Sequence, residues 1–486
     1  MKLFDLMNGI PFQGNLENRE IGMVTSDSRQ ITPGCLFVCI AGARFDGHTA
    51  ARQVLADGAA AVVCEKDLGL DSQLLVADSR EAYGIICSNF YGNPSRKIKL
   101  IGITGTNGKT TCTYLIKHLL ESAGKKVGLI GTIHNEIGDM VLPAKNTTPD
   151  PGELHVLFMR MAQAGCEYVV MEASSHALDQ KRLSGCRFAV GVFTNLTQDH
   201  LDYHITMEAY YQAKKKLFDL SDAAVVNLDD AYGRRLAKEL SCPVRTFSIW
   251  DDAADFTARD IRPAVDRNRF TVVGESQIGR VDFPMPGEFS VANAMAAGIA
   301  ALTLGMTLQQ VCAGLSSCPG IPGRTEVLST GTDFTVIRDY AHTPDGLEKV
   351  LPAIKPFVQN RLMVLFGCAG ERDPSKRIHM AEAVVKYADY MILTSDNPRR
   401  EDPVKIIEDA LPGFEGTNVP YEVIPDRYKA IEWALAHAQP GDVLLLAGKG
   451  HEDYQVLDYG TIHFDEREVV ARLLAEQRKS GSEGVL

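Results

Sequence analysis

With 486 residues, 45% of them apolar and 23% charged, the chain is too long for one ordinary domain and has the composition of a soluble globular protein of about three. Its net charge of −12, with no Lys/Arg-rich tract to offset it, argues against nucleic acid as the main partner, although a local basic pocket for an anionic substrate stays open. No run of about 18 apolar residues marks a membrane span, and Met1-Lys2-Leu3-Phe4-Asp5 has neither the basic flank nor the apolar core of a secretory signal.

The first roughly 95 residues alternate short apolar runs, Cys35 to Ile40 and Ala59 to Cys64, with amphipathic stretches such as Thr49 to Asp57, which predicts a small α/β unit. Tyr91-Gly92-Asn93-Pro94-Ser95 is turn chemistry and marks a boundary. From Ile98 onward strand–helix alternation sets in, as in a parallel sheet covered by helices. Val127 to Ile130, Tyr168 to Met171, Ala189 to Phe193 and Ala223 to Val226 are candidate strands. Glu153 to Ala164 and Met207 to Leu220 read as helices, and Val291 to Leu304 as a buried one. Pro319-Gly320-Ile321-Pro322-Gly323 is the second boundary. Beyond it Thr335 to Ile337, Met363 to Phe366, Tyr390 to Leu393 and Val443 to Leu446 alternate with helices again, which predicts a second doubly wound domain. The 11 cysteines are scattered without a C-x-x-C pair, so buried thiols in a reducing, cytoplasmic setting are expected.

The most informative stretch is Gly105-Thr106-Asn107-Gly108-Lys109-Thr110, between the apolar run Ile98 to Ile103 and the helical Thr111 to Glu121. A strand that ends in a Gly-rich turn and opens a helix is built to hold phosphate: backbone N–H groups and the helix N-terminus face the anion, and a lysine neutralises it. Thr110 sits where the hydroxyl of such a loop meets Mg²⁺. The usual pattern has glycine five residues before Gly108; here it is Ile103, so the loop is a shortened variant that points away from GTPases and motors. ATP or a similar nucleotide is the expected ligand.

Other polar clusters follow strands, where open α/β sheets bind ligands. Met171-Glu172-Ala173-Ser174-Ser175-His176 places a carboxylate suited to the Mg²⁺ of Mg-ATP; a helix-capping glutamate is the competing reading. Thr194-Asn195-Leu196-Thr197-Gln198-Asp199-His200 gathers amide, carboxylate and imidazole groups, although a single His200 would also suit a surface or a cap. Lys214-Lys215-Lys216 lies on a helix whose successive residues point about 100° apart, so one lysine can face inward while the others form a solvated face. Asp339-Tyr340-Ala341-His342, Gly367 to Asp373, Asp396-Asn397-Pro398-Arg399 and Gly448-Lys449-Gly450-His451-Glu452 follow the strands of the last domain. Arg372 and Arg399 suit carboxylates and Glu452 an ammonium, so together they describe a pocket for an amino-acid-like ligand. Gly448 to Gly450 could alternatively hold a second phosphate.

Gly105 to Thr110, Glu172 to His176, Asn195 with His200, Lys214, Asn293, Gly323-Arg324 and Asp339 to Thr343 form an ordered set over nearly the whole chain, and it resembles the Mur ligase family. Thr25-Ser26-Asp27-Ser28-Arg29, Pro33-Gly34 and Asn146-Thr147-Thr148-Pro149-Asp150 resemble the member that adds the third peptide residue to UDP-N-acetylmuramoyl-L-alanyl-D-glutamate, and Asp396 to Arg399 is the pattern associated with meso-2,6-diaminopimelate. Ala369 and Glu371 stand where glycine and aspartate are common, a mild departure that keeps Arg372, and Ala43-Arg44-Phe45 is variable where relatives hold the uridine.

The resemblance implies an α/β fold of three domains: 1–96 for the UDP-substrate, a central parallel-sheet domain 97–324 for ATP, and a Rossmann-like domain 325–486 for the amino acid. It implies that Gly105, Thr106, Asn107, Gly108, Lys109, Thr110, Thr111, Asn195, Asn293, Arg324, Asp339 and His342 serve ATP. Ser26, Ser28, Asn146, Thr147, Thr148, Ser174, Gln180 and Arg182 would touch the UDP-dipeptide. Arg372, Asp396, Asn397, Pro398, Arg399, Gly448 and Glu452 would hold diaminopimelate. Thr110 and Glu172 would ligate one Mg²⁺; His200 and Lys214, the latter carrying a CO₂-derived carbamate as N6-carboxylysine, a second. Lys109, Glu172, His200 and Lys214 are the implied catalytic set. The implied reaction is amide formation through an acyl phosphate in peptidoglycan precursor synthesis, hence cell wall, shape and division. The implied enzyme is a cytoplasmic monomer with no nucleic acid or membrane partner. Domain closure on ligand binding, hinged near Pro94 and Pro322, follows from a site shared by three domains. A lysine-adding or folylpolyglutamate-type ligase and a non-catalytic nucleotide-binding regulator are the alternatives; Arg399 and Thr25 to Arg29 speak against the first two, and the intact ligand set against the third.

Overall fold

The computed structural model describes residues 1–14, 16–42, 45–264 and 266–483. Ala43 and Arg44, from the variable stretch noted above, lie outside the described residues. The chain divides into two compact units: Met1–Ala258 with Val272–Gly279 and Ala292–Gly314, and Arg259–Thr271 with Arg280–Val291 and Leu315–Leu486.

The first unit begins with a small parallel sheet, Val24–Thr25, Leu36–Val38, Ala61–Cys64 and Gln73–Leu75 in that order, covered by the helix Ser79–Phe90. Leu36–Val38 and Ala61–Cys64 are buried throughout, as strands covered on both faces must be. The larger sheet has eleven strands. Its parallel centre runs Val244–Ser248, Ala224–Asn227, Phe188–Phe193, Lys99–Thr104, Tyr168–Glu172, Val127–Ile130. All but Val244–Ser248 match a run read from the sequence to within a residue or two; the apolar stretches of those five are continuous because both sheet faces are covered. Burying one such Val, Leu or Ile contributes ~1.5–3 kcal/mol. Five further strands were not foreseen: the antiparallel pair His134–Ile137 and Met140–Pro143 at one edge, and Phe256–Pro263, Asn268–Gly274 and Gln277–Phe283 at the other. Their polar and charged residues interrupt the apolar signal, because an edge strand is half solvated.

Two helices place the chemistry. Lys109–Ser122 buries Cys112, Leu115, Ile116, Leu119 and Leu120, a spacing of three and four that turns one face to the sheet. Met207–Asp219 starts where the Thr206 hydroxyl accepts from Ala209 N at 3.1 Å. It buries Tyr210, Tyr211, Ala213, Lys214, Leu217 and Phe218, so Lys214 belongs to the apolar face although it carries an amine.

The second unit holds a six-stranded sheet ordered Glu326–Leu328, Thr335–Asp339, Val443–Ala447, Leu362–Cys368, Tyr390–Ser395, Tyr421–Val423, parallel except for its first strand. Its core lies on both faces, under Pro344–Ile354, Ser375–Val385 and Pro403–Ala410 on one side and Arg427–His437 and Glu466–Glu483 on the other. A separate two-stranded ribbon, Tyr454–Leu457 with Gly460–His463, follows Val443–Ala447. The 11 cysteines are all free thiols; Cys242 is half-buried and the others are buried.

Candidate active site

The loop Gly105 to Gly108 leaves the carboxyl end of Lys99–Thr104 and opens the helix Lys109–Ser122. Gly108 has φ +85°, and a Cβ there would stand 2.2 Å from Asn293 Oδ1; a Cβ at Gly105 would stand 1.9 Å from Thr194 Oγ1. Neither position admits a side chain. The loop is fixed from the neighbouring strand end. Asn195 Oδ1 accepts from Asn107 N at 3.0 Å, Asn195 Nδ2 donates to Asn107 O at 3.2 Å, and Thr194 Oγ1 donates to the same carbonyl at 2.7 Å. Lys109 Nζ folds back over the loop and donates to Gly105 O at 3.0 Å and Thr106 O at 2.8 Å. Thr110 and Thr111 are buried in the first helical turn.

Glu172 ends Tyr168–Glu172 and is 1% exposed. Its carboxylate accepts from Thr110 Oγ1 at 3.1 Å on both oxygens, from Thr132 N at 2.8 Å and from Thr132 Oγ1 at 3.1 Å. The helix-capping reading of Glu172 therefore gives way to a buried oxygen cluster beside the loop. Thr132 also meets Thr147 Oγ1 at 3.1 Å. Thr148 Oγ1 donates to Glu172 O at 2.8 Å and accepts from Ser174 N at 3.0 Å, and Arg182 Nη1 donates to Thr148 O at 2.9 Å. Gln180 Oε1 accepts from Arg182 Nη2 at 2.8 Å. Thr147, Thr148, Ser174, Gln180 and Arg182 thus form one polar strip leading to Glu172. Asn146 is exposed nearby in sequence, and Ser26 and Ser28 are half-buried in the small sheet region, Ser26 bonded to the Tyr83 hydroxyl.

Of the three adjacent lysines, Lys214 is 1% exposed, while Lys215 pairs with Glu239 at 2.7 Å and Lys216 with Asp179 at 2.8 Å. Lys214 Nζ donates to Gly105 O at 2.7 Å and lies 4.5 Å from the centre of the Tyr210 ring. Burial, then the neighbouring charge of Lys109, holds its pKa well below the usual lysine range, with Asp199 opposing. His200, left-handed at φ +54°, is half-exposed; burial depresses its pKa too, and Lys109 and Lys214 are among the charges it feels. Its ring lies 4.9 Å from that of His176, and His204 stacks on Tyr210 at 5.0 Å. Burial and His176 push His204 down to about 4. No group of three or more His, Cys, Asp or Glu side chains among the described residues is arranged as a metal site. A cation here would depend on oxygen donors such as Thr110 and Glu172, or on a modified Lys214.

In the second unit, Arg324 lies 4.7 Å over the Tyr340 ring, and His342 packs on the same ring at 4.5 Å. Asp339 is buried, its pKa raised by that burial against the pull of Arg324, and it accepts from Thr325 N at 2.6 Å and Ala341 N at 2.7 Å. Asp396, Asn397 and Pro398 are buried at the end of Tyr390–Ser395, whereas Arg399 is half-buried and Arg372 exposed. Arg399 Nη1 donates to Gly370 O at 2.5 Å. The Arg399 backbone is left-handed at φ +57°, just past the buried strand end. Asn397 Nδ2 donates to Glu452 Oε2 at 2.8 Å. Lys449 is fully buried, with its ammonium 3.1 Å from Glu452 and 3.4 Å from Asn397 Oδ1. That partnership leaves Lys449 unsuited to a second phosphate site. Gly448 leaves space beside Asp396: a Cβ there would come within 2.6 Å of Asp396 Oδ2.

The Mur ligase middle domain matches residues 103–301, the Mur ligase glutamate ligase domain 323–450, and the Mur ligase family catalytic domain 20–91. A relative from Caldanaerobacter subterraneus subsp. tengcongensis, named UDP-N-acetylmuramoyl-L-alanyl-D-glutamate–2,6-diaminopimelate ligase, is 45% identical over 486 residues, 99% of this chain and 100% of its own length. The chain belongs to the Mur ligase family. A Geobacillus kaustophilus relative of the same name is 43% identical, with 98% of this Mur ligase and 100% of the relative covered. A solved structure of a ligase of that name matches at TM-score 0.74 and 34% identity, covering 98% and 100% of the two chains. The Thermotoga maritima MurF ligase in complex with ADP, 20% identical, shares the fold at TM-score 0.62 over 94% of this chain and 98% of its own. This Mur ligase therefore has the family's three-domain α/β architecture and is an ATP-dependent, amide-forming ligase.

Several Mur ligase residues at the site were not singled out from sequence. Tyr210 stands four residues before Lys214, a spacing that puts both on one helix face. Thr132 reaches Glu172 across 40 residues and Gln455 reaches Asp396 across 59, pairings without a local signature.

Proposed function

We propose that this enzyme adds meso-2,6-diaminopimelate to the D-glutamyl γ-carboxylate of UDP-N-acetylmuramoyl-L-alanyl-D-glutamate, with ATP split to ADP and phosphate, in peptidoglycan precursor synthesis. The observation that carries the reading is the Asp396–Arg399 turn at a strand end in a chain similar along its whole length to ligases of that name. A carboxylate oxygen of the glutamyl residue attacks the γ-phosphorus, and the bond to ADP breaks. The amine at one centre of diaminopimelate then attacks the acyl carbon, and the tetrahedral adduct loses phosphate and a proton to give the amide.

An anionic carboxylate must approach an anionic triphosphate, so the residues work by cancelling and orienting charge. The amides of Gly105 to Gly108, with Lys109, Thr110 and Thr111, cradle the phosphates; Asn195 and Asn293 shape that loop, and Arg324, Asp339 and His342 serve the rest of the nucleotide. Thr110 and Glu172, hard oxygen donors already sharing hydrogen bonds, suit one Mg²⁺; His200 and Lys214 suit a second if Lys214 is the N6-carboxylysine. Bound there, Mg²⁺ offsets the charge of the phosphates. Burial, and then the charge of Lys109, lowers the pKa of the Lys214 amine, the direction that favours the uncharged form that attacks CO₂, and an ammonium would have the wrong sign for a ligand. Ser26, Ser28, Asn146, Thr147, Thr148, Ser174, Gln180 and Arg182 receive the UDP-dipeptide. Arg372, Asp396, Asn397, Pro398, Arg399, Gly448 and Glu452 receive the amino acid. The assignment of 1–96, 97–324 and 325–486 to the three ligands belongs to the same reading, as do a cytoplasmic monomer and a role in cell shape and division. No helix among the described residues is long and apolar enough to cross a membrane.

The deciding experiment is phosphate release from ATP with the UDP-dipeptide and a panel of amino acids. Release with diaminopimelate and little with lysine is expected. Equal use of lysine would move the protein to the lysine-adding alternative, and no release with any acceptor would favour a regulator.

A further inference from the structure

The turn Asp396–Arg399 is held from behind by groups with no role in the contacts assigned above. Gln455, on the first strand of the ribbon Tyr454–Leu457 and Gly460–His463, is 7% exposed. Its side-chain amide donates to Asp396 O at 2.7 Å and to Ser395 Oγ at 3.2 Å. Beside it, Val456 N donates to Asn397 Oδ1 at 3.0 Å, and Val456 O accepts from Arg399 N at 3.0 Å. Arg399 needs this anchor, since its φ of +57° is unfavourable for any residue with a Cβ. Asp396 Oδ1 accepts from Asn397 N at 2.7 Å, while Asp396 Oδ2 is buried with no hydrogen-bond partner among the described residues and faces the space that Gly448 leaves open. A rotation of the peptide between Asp396 and Asn397 would take Asn397 N away from Asp396 Oδ1 and leave the carboxylate free to turn.

From this ribbon-to-turn geometry we infer that Gln455 is a positioning residue that sets acceptor specificity. Through Asp396 O and Ser395 Oγ it aims the Asp396 carboxylate, and with Val456 it fixes the backbone from which Arg399 projects. The inference rests on the diaminopimelate reading above. An apolar side chain at 455 leaves two buried acceptors unmet, so the turn relaxes and the geometry that separates a two-acid acceptor from lysine is lost. The phosphate chemistry involves other residues and is untouched.

The test is steady-state kinetics of the full-length enzyme with Gln455→Leu and Gln455→Met. We expect KM for diaminopimelate to rise about tenfold or more, the preference for diaminopimelate over lysine to fall by a similar factor, and kcat and KM for ATP to stay within about twofold. Tyr459→Ser, at the 77% exposed ribbon tip, serves as the control and should change none of these. A second measurement uses the wild-type protein: diaminopimelate should slow amide hydrogen exchange in peptides covering 396–399 and 454–457 together. Unchanged KM and preference in folded variants, or protection of 396–399 with 454–457 indifferent, would overturn the inference. Failure of the wild type to use diaminopimelate at all would instead remove the reading beneath it.

Discussion

Lys214 Nζ donates to Gly105 O at 2.7 Å, so a buried amine on one helix is tied to the first residue of the phosphate loop. Replacing Lys214 by alanine is expected to lower ATP-dependent phosphate release about a hundredfold or more, because the carbamate that would hold the second Mg²⁺ cannot form. Short carboxylic acids added to that variant should restore part of the rate, and Lys214→Arg, a fixed cation, should stay inactive. Full activity of the alanine variant without added acid would remove the carbamate role.

Arg399→Ala should raise KM for diaminopimelate about 10²-fold while sparing KM for ATP, because the distal carboxylate loses its only proposed cationic partner at that turn. Competition between diaminopimelate and lysine measures the effect directly. An unchanged ratio would place the selecting group elsewhere.

His155 is fully buried on the helix Pro151–Gln163, its ring 5.7 Å from that of Phe158, and burial pushes its pKa from 6.5 down to about 4. The unfolded chain therefore takes up a proton that the folded chain refuses as pH falls from about 6.5 to about 4, and stability is present above that window and lost through it. Between pH 7 and pH 5 the expected loss from this group is about 2 kcal/mol. Urea unfolding of His155→Leu should show a shallower pH dependence than the wild type over that interval.

Ile205 is β-branched, sits at φ +65° and is 75% exposed between the helices Leu201–His204 and Met207–Asp219. With ψ −44° and Thr206 N donating to His204 O at 2.7 Å, Ile205 is the centre of a γ-turn, costly for such a residue, and little packing offsets it. Ile205→Gly should therefore raise stability by about 1 kcal/mol, read as a higher midpoint in thermal unfolding. A lower midpoint would show that the isoleucine side chain is needed where it stands.

Arg427 and Glu466 are both fully buried and bonded at 2.7–2.8 Å, with Arg427 also donating to Ala447 O at 2.9 Å and Ser395 O at 3.3 Å. Arg427→Met leaves a buried carboxylate uncompensated and should cost about 3–5 kcal/mol. The double change with Glu466→Leu should recover much of that loss. A double-mutant cycle by chemical denaturation, showing additive losses, would contradict the pairing.

What the sequence discloses depends on range. Gly105 to Thr110 is legible because strand, turn and helix are contiguous; helical geometry says that one of Lys214, Lys215 and Lys216 can face inward, and the family resemblance says which. Glu172 is legible as the end of an apolar strand, but its partner Thr132 is not, since they meet only through the sheet order. The strands Phe256–Pro263 and Gln277–Phe283 escape because arginines and aspartates face water along them. Lys449 shows the opposite failure: a Gly-Lys-Gly string resembles an anion site, yet burial against Glu452 decides its role. Arg399 is named by its motif, while its left-handed backbone and its hydrogen bonds to Gly370 O and Val456 O are set by contacts distant in sequence.

The enclosed sulfhydryls give this molecule an internal reporter of opening. Burial raises Cys39, Cys87, Cys186 and Cys368 to about 12 and Cys64 to about 11, so the reactive thiolate is scarce at neutral pH while the chain stays folded. Alkylating reagents should mark Cys242 first, and each further label, located by mass, would date the moment at which its own layer parts.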